Sequence, residues 1–226
     1  MRPLAPLVLA CALSIGTADA RAQTSKGDAM RFLALGDSYT IGEGVDSASR
    51  WPVQLAKILR SKKMNVGDPE IVARTGWTTD ELAAGITVAS PGGPYALVSL
   101  LIGVNNQYRG RDAEKYRAEF QSLLAQAVEF ADGKSVRVIV LSIPDWSVTP
   151  FASGRDRAKI GSEIDRFNEI AKSETVKAGA HWVDVTPVSR EENARWYGAD
   201  GLHPTGAQYA IWAQLAVDAA TAALKH

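Results

Sequence analysis

Phe32-Leu33-Ala34-Leu35-Gly36-Asp37-Ser38-Tyr39 decides how the chain is read. Four apolar residues run into a glycine, an acid and a hydroxyl, which is a short buried strand giving way to a turn. Thr40-Ile41-Gly42-Glu43-Gly44 continues as a glycine-bearing loop. A serine placed there stands at the carboxyl edge of a sheet, where open α/β sheets bind ligands. Serine is a weak nucleophile by itself. Reading Ser38 as one requires a base, a group to orient that base, and donors for an oxyanion elsewhere in the chain.

Downstream of this stretch, strands and helices alternate. Ser49 is the expected cap of a helix that carries Pro52 near its first position, where a missing amide hydrogen costs little. Val53, Ala56 and Leu59 recur at helical spacing. Glu70 to Arg74 reads as a second strand, and Thr78 with Glu81 has capping-box spacing for a helix from Thr79 to about Ile86. Tyr95 to Ile102 is almost continuously apolar, as a central strand of a parallel sheet is. It ends at the Gly103-Val104-Asn105-Asn106 turn.

Arg111 to Ala131 is an amphipathic helix. Val136 to Ile143 is a strand closed by Pro144. Ile160, Ile164, Phe167 and Ala171 mark one helix face, and Trp182 to Val185 is a last short strand. Thr205 to Leu224 is a C-terminal helix rich in alanine. Such alternation predicts an α/β fold whose parallel sheet is covered on both faces by helices. Right-handed crossovers then bring Ser38, Gly76, Asn105 and Trp146 to one edge.

Composition is that of an ordinary globular chain: 226 residues, 46% hydrophobic and 22% charged. Lys+Arg and Asp+Glu are both 25, so no basic excess argues for a nucleic-acid partner. Residues 1–22 read as a secretory signal: Arg2, an apolar run from Leu4 to Ile15, and A-x-A sites at Ala18-Asp19-Ala20 and Ala20-Arg21-Ala22. The run is short for a membrane span. Residues 23–29 are then a polar linker and 30–226 the domain, exported to the periplasm or the medium. Cys11, the one cysteine, falls inside the leader and faintly resembles a lipoprotein site. Cleavage would leave no disulfide and no thiol nucleophile.

The groups that Ser38 needs are present. Asp200-Gly201-Leu202-His203 places a carboxylate three residues before an imidazole. In a turn, that carboxylate would orient the ring and stabilise its protonated form. Gly76 precedes a helix and offers a backbone amide; Asn105 offers a side-chain amide. Each has a plainer reading, as a turn glycine, a loop asparagine, a capping aspartate or a surface histidine.

Their order along the chain is more specific than any of them alone. Gly-Asp-Ser, Gly76, Gly-x-Asn and Asp-x-x-His together resemble the SGNH hydrolases, or GDSL esterases and lipases, from Phe32 to the last helix. The resemblance implies a three-layer α/β/α flavodoxin-like sandwich. It implies Ser38 as nucleophile, His203 as base and Asp200 as orienter. The amides of Ser38 and Gly76 and the side chain of Asn105 would form the oxyanion hole. It also implies no cofactor. One position departs: the family reads Gly-x-Asn-Asp, and Asn106 stands here in place of the acid.

Ser38 lacks the Gly-x-Ser-x-Gly elbow and any Walker A pattern. No metal is expected, because no His/Asp/Glu cluster has zinc spacing. Trp77, Tyr108, Trp146, Trp196 and Tyr197 lie close to the predicted site edge; one or two of the five at most are expected to touch substrate, with Trp77, Tyr108 and Trp146 the candidates. The expected function is an exported serine esterase cleaving short acyl esters, including those on carbohydrate. Hydrolysis of longer acyl chains on a lysophospholipid or thioester is the alternative. A module that binds acylated glycan without catalysis is a different class.

Overall fold

The computed structural model describes residues 29–191 and 193–226. The expected leader, Cys11 and residues 23–28 lie outside the described residues. Five strands form the sheet: β1 (Phe32–Gly36), β2 (Glu70–Ala73), β3 (Leu97–Leu101), β4 (Val138–Leu141) and β5 (His181–Val183). All neighbours pair in parallel, in the order β2-β1-β3-β4-β5. This is the flavodoxin-like order, with the switch point between β1 and β3. β1, β3 and β4 are buried along their whole length, which is why they read as unbroken apolar runs rather than alternating ones.

Eight helices accompany them among the described residues: α1 (Ser38–Ile41), α2 (Trp51–Ser61), α3 (Thr79–Ala89), α4 (Val104–Tyr108), α5 (Ala113–Phe130), α6 (Arg157–Ala178), α7 (Thr186–Ser189) and α8 (Gly206–Ala223). α2 packs on α8, whereas α5 packs on both α3 and α6. The two groups cover opposite faces of the sheet, as right-handed crossovers around this strand order require. Trp51, Leu55 and Leu59 of α2 and Trp212, Ala213 and Ala216 of α8 are fully buried. The alanines of α8 let it lie close against α2 and the sheet. Among the described residues no helix is long and apolar enough to cross a membrane.

The expected elements are present, with four adjustments. Thr40-Ile41 is a helical turn rather than loop, because the Asp37 side chain accepts the Tyr39 N–H at 3.0 Å and caps α1. Asn105-Asn106 is likewise inside a short helix, α4. Ser49 does not cap α2. It closes a 3₁₀ turn whose cap is Asp46, and Arg50 precedes α2 with no side-chain hydrogen bond. β3 and β4 are shorter than their apolar runs. Tyr95 N–H is used by Phe130 C=O at 2.8 Å, and residues 135–137 coil into a 3₁₀ turn.

Candidate active site

β1 ends at Gly36 with no room for a side chain: a Cβ there would collide with the Thr40 hydroxyl and the Leu101 carbonyl. This close approach lets the chain turn sharply into α1, against the end of β3. Asp37 caps the turn and is fully buried. Burial pushes its carboxyl up to about 7, against the pull of backbone donors that include Tyr39 N–H. Ser38 is the first residue of α1 and only 4% exposed. Its N–H, at a helix start, has no intrahelical acceptor.

β2 ends in the Arg74–Thr78 turn, where Gly76 has φ +85°, a conformation that favours glycine. From the Gly76 carbonyl through Thr78, the polar backbone groups of this turn are held. Trp77 N–H donates to Arg74 C=O at 3.2 Å. Gly76 C=O accepts from Arg109 Nη2 at 2.7 Å, and Trp77 C=O accepts from Asn105 Nδ2 at 3.0 Å. Thr78 N–H donates to Glu81 Oε2 at 2.9 Å, the reciprocal half of the expected capping box. The Gly76 and Ser38 N–H groups are the exceptions: among the described residues neither has a hydrogen-bond acceptor.

The two asparagines separate cleanly on α4. Asn105 lines a cavity beside Ser38 and Gly76. Its Nδ2 carries two hydrogens; with one given to Trp77 C=O, the other remains for a ligand. Asn106 is fully buried and turns toward α3 instead. It accepts from Thr79 N–H at 3.1 Å and donates to Thr79 Oγ1 at 2.6 Å. The residue that replaces the family's acid therefore ties α4 to the start of α3.

Asp200 and His203 meet as their spacing predicts. His203 Nδ1 lies 2.5 Å from Asp200 Oδ2, while the Leu202 and His203 N–H groups donate to Asp200 Oδ1 at 2.9 and 3.0 Å. Partial burial pushes the Asp200 carboxyl up, but these three partners outweigh it and hold it below its usual value. His203 is 9% exposed, and its ring packs beside Tyr39, centroids 5.7 Å apart. With Nδ1 committed, Nε2 is the nitrogen left for chemistry.

Ser38, Gly76, Asn105 and His203, from four separate segments, line one cavity of ≈ 180 Å³. Thr75, Val104, Tyr108, Trp146, Phe151 and Leu202 complete most of its wall. Tyr108, Trp146 and Phe151 meet with centroids 5.5–6.2 Å apart. Trp146 is fixed by its Nε1–H to Gln107 Oε1 at 2.8 Å.

Of the aromatic candidates, Tyr108 and Trp146 are there and Trp77 is not. The Trp77 ring lies against Gly85 of α3, where no Cβ would fit, and only its carbonyl reaches toward the site. Trp196 and Tyr197 also lie outside the cavity; Tyr197 pairs with Pro204 in an isolated bridge. Phe151 and Leu202 were not singled out by sequence. Leu202 adjoins His203, a usable signal; Phe151 sits in a three-residue 3₁₀ turn, Pro150–Ala152, too short to show a period, and gives none. Among the described residues no group of three or more His, Cys, Asp or Glu side chains could hold a metal ion.

Residues 34–211 match the model of the GDSL-like Lipase/Acylhydrolase family. No curated protein is similar enough in sequence to match. Among solved structures, TesA superposes with a TM-score of 0.65 at 19% identity, covering 84% of this chain and 97% of its own. The psychrotrophic esterase EstA of Pseudoalteromonas sp. gives 0.64 at 14% identity, covering 87% and 99%. A mutant of Axe2, an acetyl-xylooligosaccharide esterase of Geobacillus, gives 0.63 at 18% identity, covering 84% and 94%. At these identities the superpositions establish a shared fold.

Proposed function

The chain belongs to the GDSL-like lipase/acylhydrolase family and is a carboxylic ester hydrolase, and on that premise we propose that Ser38 is its nucleophile, His203 its base and Asp200 the group that orients the base. The observation that carries this reading is the single cavity shared by Ser38, Gly76, Asn105 and His203, with Asp200 2.5 Å behind the imidazole.

His203 Nε2 takes the Ser38 proton as Oγ attacks the ester carbonyl. The carbonyl oxygen becomes an oxyanion, met by the free N–H groups of Ser38 and Gly76 and the second Nδ2 hydrogen of Asn105. Collapse expels the alcohol, which takes the proton from His203 and leaves Ser38 acylated. Water then attacks, giving its proton to Nε2. The second collapse returns that proton to Ser38 Oγ and frees the acid. Asp200 stays ionised throughout and stabilises the imidazolium.

A space of ≈ 180 Å³ falls below the roughly 300–1,000 Å³ of pockets that enclose drug-sized ligands. Its walls are mostly apolar. An acetyl or other short acyl group fits such a space, and a long chain would run out past Tyr108 and Phe151, which are 47% and 36% exposed. Those exposed rings offer a platform for a sugar carrying the ester. The substrate class proposed is therefore short acyl esters, with carbohydrate as an alcohol component. Residues 1–22 are read as the signal that exports the enzyme.

Turnover of aryl esters of increasing acyl length, together with fluorophosphonate labelling, tests the reading. Wild-type protein should be labelled on Ser38 and prefer short acyl groups; Ser38→Ala should lose both labelling and turnover. Full turnover by Ser38→Ala would end the mechanism. A preference for long chains would end the substrate assignment and favour a lysophospholipase- or thioesterase-like role.

A further inference from the structure

The two oxyanion donors contributed from outside α1 are not independent. Gly76 supplies a backbone N–H from the turn after β2, and Asn105 supplies a side chain from the helix after β3. Between them runs a short chain of hydrogen bonds that begins on α4 and ends at Arg109, the residue that caps its C-terminus. Asn105 Nδ2 holds the Trp77 carbonyl at 3.0 Å. One helical turn on, Arg109 Nη2 holds the Gly76 carbonyl at 2.7 Å. Arg109 N–H in turn donates to Asn105 C=O at 3.1 Å, so the two residues share a backbone hydrogen bond.

The other arm of the Arg109 guanidinium, Nη1, reaches Glu81 Oε1 at 3.1 Å. Glu81 Oε2 accepts the Thr78 N–H at 2.9 Å. The turn is thus gripped at residues 76, 77 and 78 by α4 and by the first turn of α3. We propose that Arg109 is a positioning residue for the oxyanion hole: by holding the Gly76 carbonyl beside Glu81 it fixes the peptide plane that follows Gly76, which together with the Trp77 N–H to Arg74 C=O bond across the turn limits how far the Gly76 N–H can swing, and with Asn105 it sets both donors as one unit. The proposal rests on the roles assigned above to Ser38, Gly76 and Asn105.

The physical reason is the conformation of Gly76. At φ +85° a glycine has no side chain to select among its many backbone states. Nothing intrinsic to the residue keeps its N–H aimed into the cavity. A Cβ at Gly76 would find only the Arg109 guanidinium nearby, at 3.8 Å, so packing does not restrain the turn either. The restraint comes from the hydrogen bonds that hold the turn: Trp77 N–H to Arg74 C=O across it, and those that Arg109 and Asn105 give to the Gly76 and Trp77 carbonyls. Arginine suits the task because its planar fork serves two acceptors at fixed separation. Lysine offers its three donors from one nitrogen rather than from a planar fork, so it serves the carbonyl and the carboxylate with poorer geometry.

The test is steady-state kinetics on a short-chain aryl ester for wild type, Arg109→Ala, Arg109→Lys and Ser38→Ala, with a thermal melt of each. Losing a whole oxyanion donor lowers kcat by about 10²–10³-fold; a donor left present but loosely aimed should cost less. Arg109→Ala should lower kcat by about 10–100-fold with KM within about threefold, since the interaction strengthens only as the oxyanion forms. Arg109→Lys should recover part of the loss, and both variants should melt within a few degrees of wild type.

Wild-type kcat in Arg109→Ala would overturn the proposal. So would a loss carried by KM alone, or a loss that tracks a large fall in melting temperature. Should Arg109→Ala not fold, Arg109→Lys decides alone: a kcat equal to wild type overturns the proposal, and a reduced kcat at unchanged KM and melting temperature supports it. Ser38→Ala separates the two levels. Activity there removes the oxyanion reading itself, whereas an inert Ser38→Ala beside a fully active Arg109→Ala removes only the role of Arg109.

Discussion

Asp37 meets two opposed demands in one side chain. Its Oδ1 caps α1 through the Tyr39 N–H at 3.0 Å. Its Oδ2 is buried with no hydrogen-bond partner among the described residues, and the nearby Thr40 hydroxyl is in the same position. An unsatisfied carboxylate oxygen away from water is costly, which is why burial pushes this carboxyl from 3.8 to about 7. The sign of the pH effect follows. Between those two values the unfolded chain has released the proton while the folded one retains it. Unfolding therefore releases a proton, and stability falls as pH rises through that window. Asp37→Asn keeps an Oδ1 for the cap and has no charge to bury. Melting temperatures of the two proteins should lie close near pH 4 and diverge in favour of Asp37→Asn up to about pH 7. A difference that stays constant with pH would show that the Asp37 carboxyl does not titrate there. Nothing in the sequence forecasts this. An aspartate beside a serine reads as motif, and only the folded chain shows that no donor reaches one of its oxygens.

Among the elements, the pairing of α5 with α6 carries the other large carboxylate shift. Glu174 of α6 is 5% exposed. It accepts from Gln121 Nε2 of α5 at 2.8 Å, from Arg117 Nη1 of α5 at 2.7 Å and from Lys177 Nζ at 3.1 Å. The Gln121 hydrogen bond leads, and together with the two cations it overcomes burial to hold the carboxyl at about 2, below its ordinary 4.5. A depressed folded-state value means the contribution is present above the unfolded value and is lost as pH falls from about 4.5 toward 2. Glu174→Gln should thus destabilise the protein at neutral pH and flatten the acid limb of its stability curve, as read by urea midpoints between those pH values. An unchanged acid limb would remove Glu174 from the acid response. The helices that make this contact were legible because Tyr116, Phe120 and Leu124, like Ile160, Ile164 and Phe167, repeat over several turns. α1 and α4 were not. Four or five residues hold no period, and what makes them helical is a cap or a tertiary hydrogen bond rather than a pattern. Periodicity alone could not choose between the two asparagines, since a one-residue step on α4 rotates the side chain from the cavity beside Ser38 to Thr79; the family resemblance chose Asn105, which is the one at the cavity.

For the whole molecule, the apolar runs identify the buried strands and the alternation identifies a parallel sheet, but neither names a strand's neighbours. The switch point between β1 and β3 becomes visible only in the assembled sheet, and it explains why residues 38, 76 and 105 converge. His203 arrives differently, on the connection between β5 and α8. The 196–205 part of that connection is bonded largely within itself, as in Gly198 N–H to His203 C=O at 2.8 Å and Thr205 N–H to Trp196 C=O at 2.8 Å, and reaches other segments through bonds such as Phe151 N–H to Gly201 C=O at 3.0 Å and the Tyr197 hydroxyl to Ser189 C=O at 3.4 Å. The Asp200 side chain is 45% exposed. Ser38, by contrast, grows directly out of a buried strand. Segments with few buried apolar contacts open at lower free energy than the sheet that carries them. Esterase activity should therefore disappear at a lower urea concentration than the far-UV circular dichroism signal, because His203 leaves before the strands separate. Fluorescence of Trp196, on that same connection, should follow the activity in a variant with the other tryptophans replaced by phenylalanine. If activity and dichroism instead share one midpoint, the His203 connection belongs to the same cooperative unit as the sheet, and the base is as firmly seated as the nucleophile.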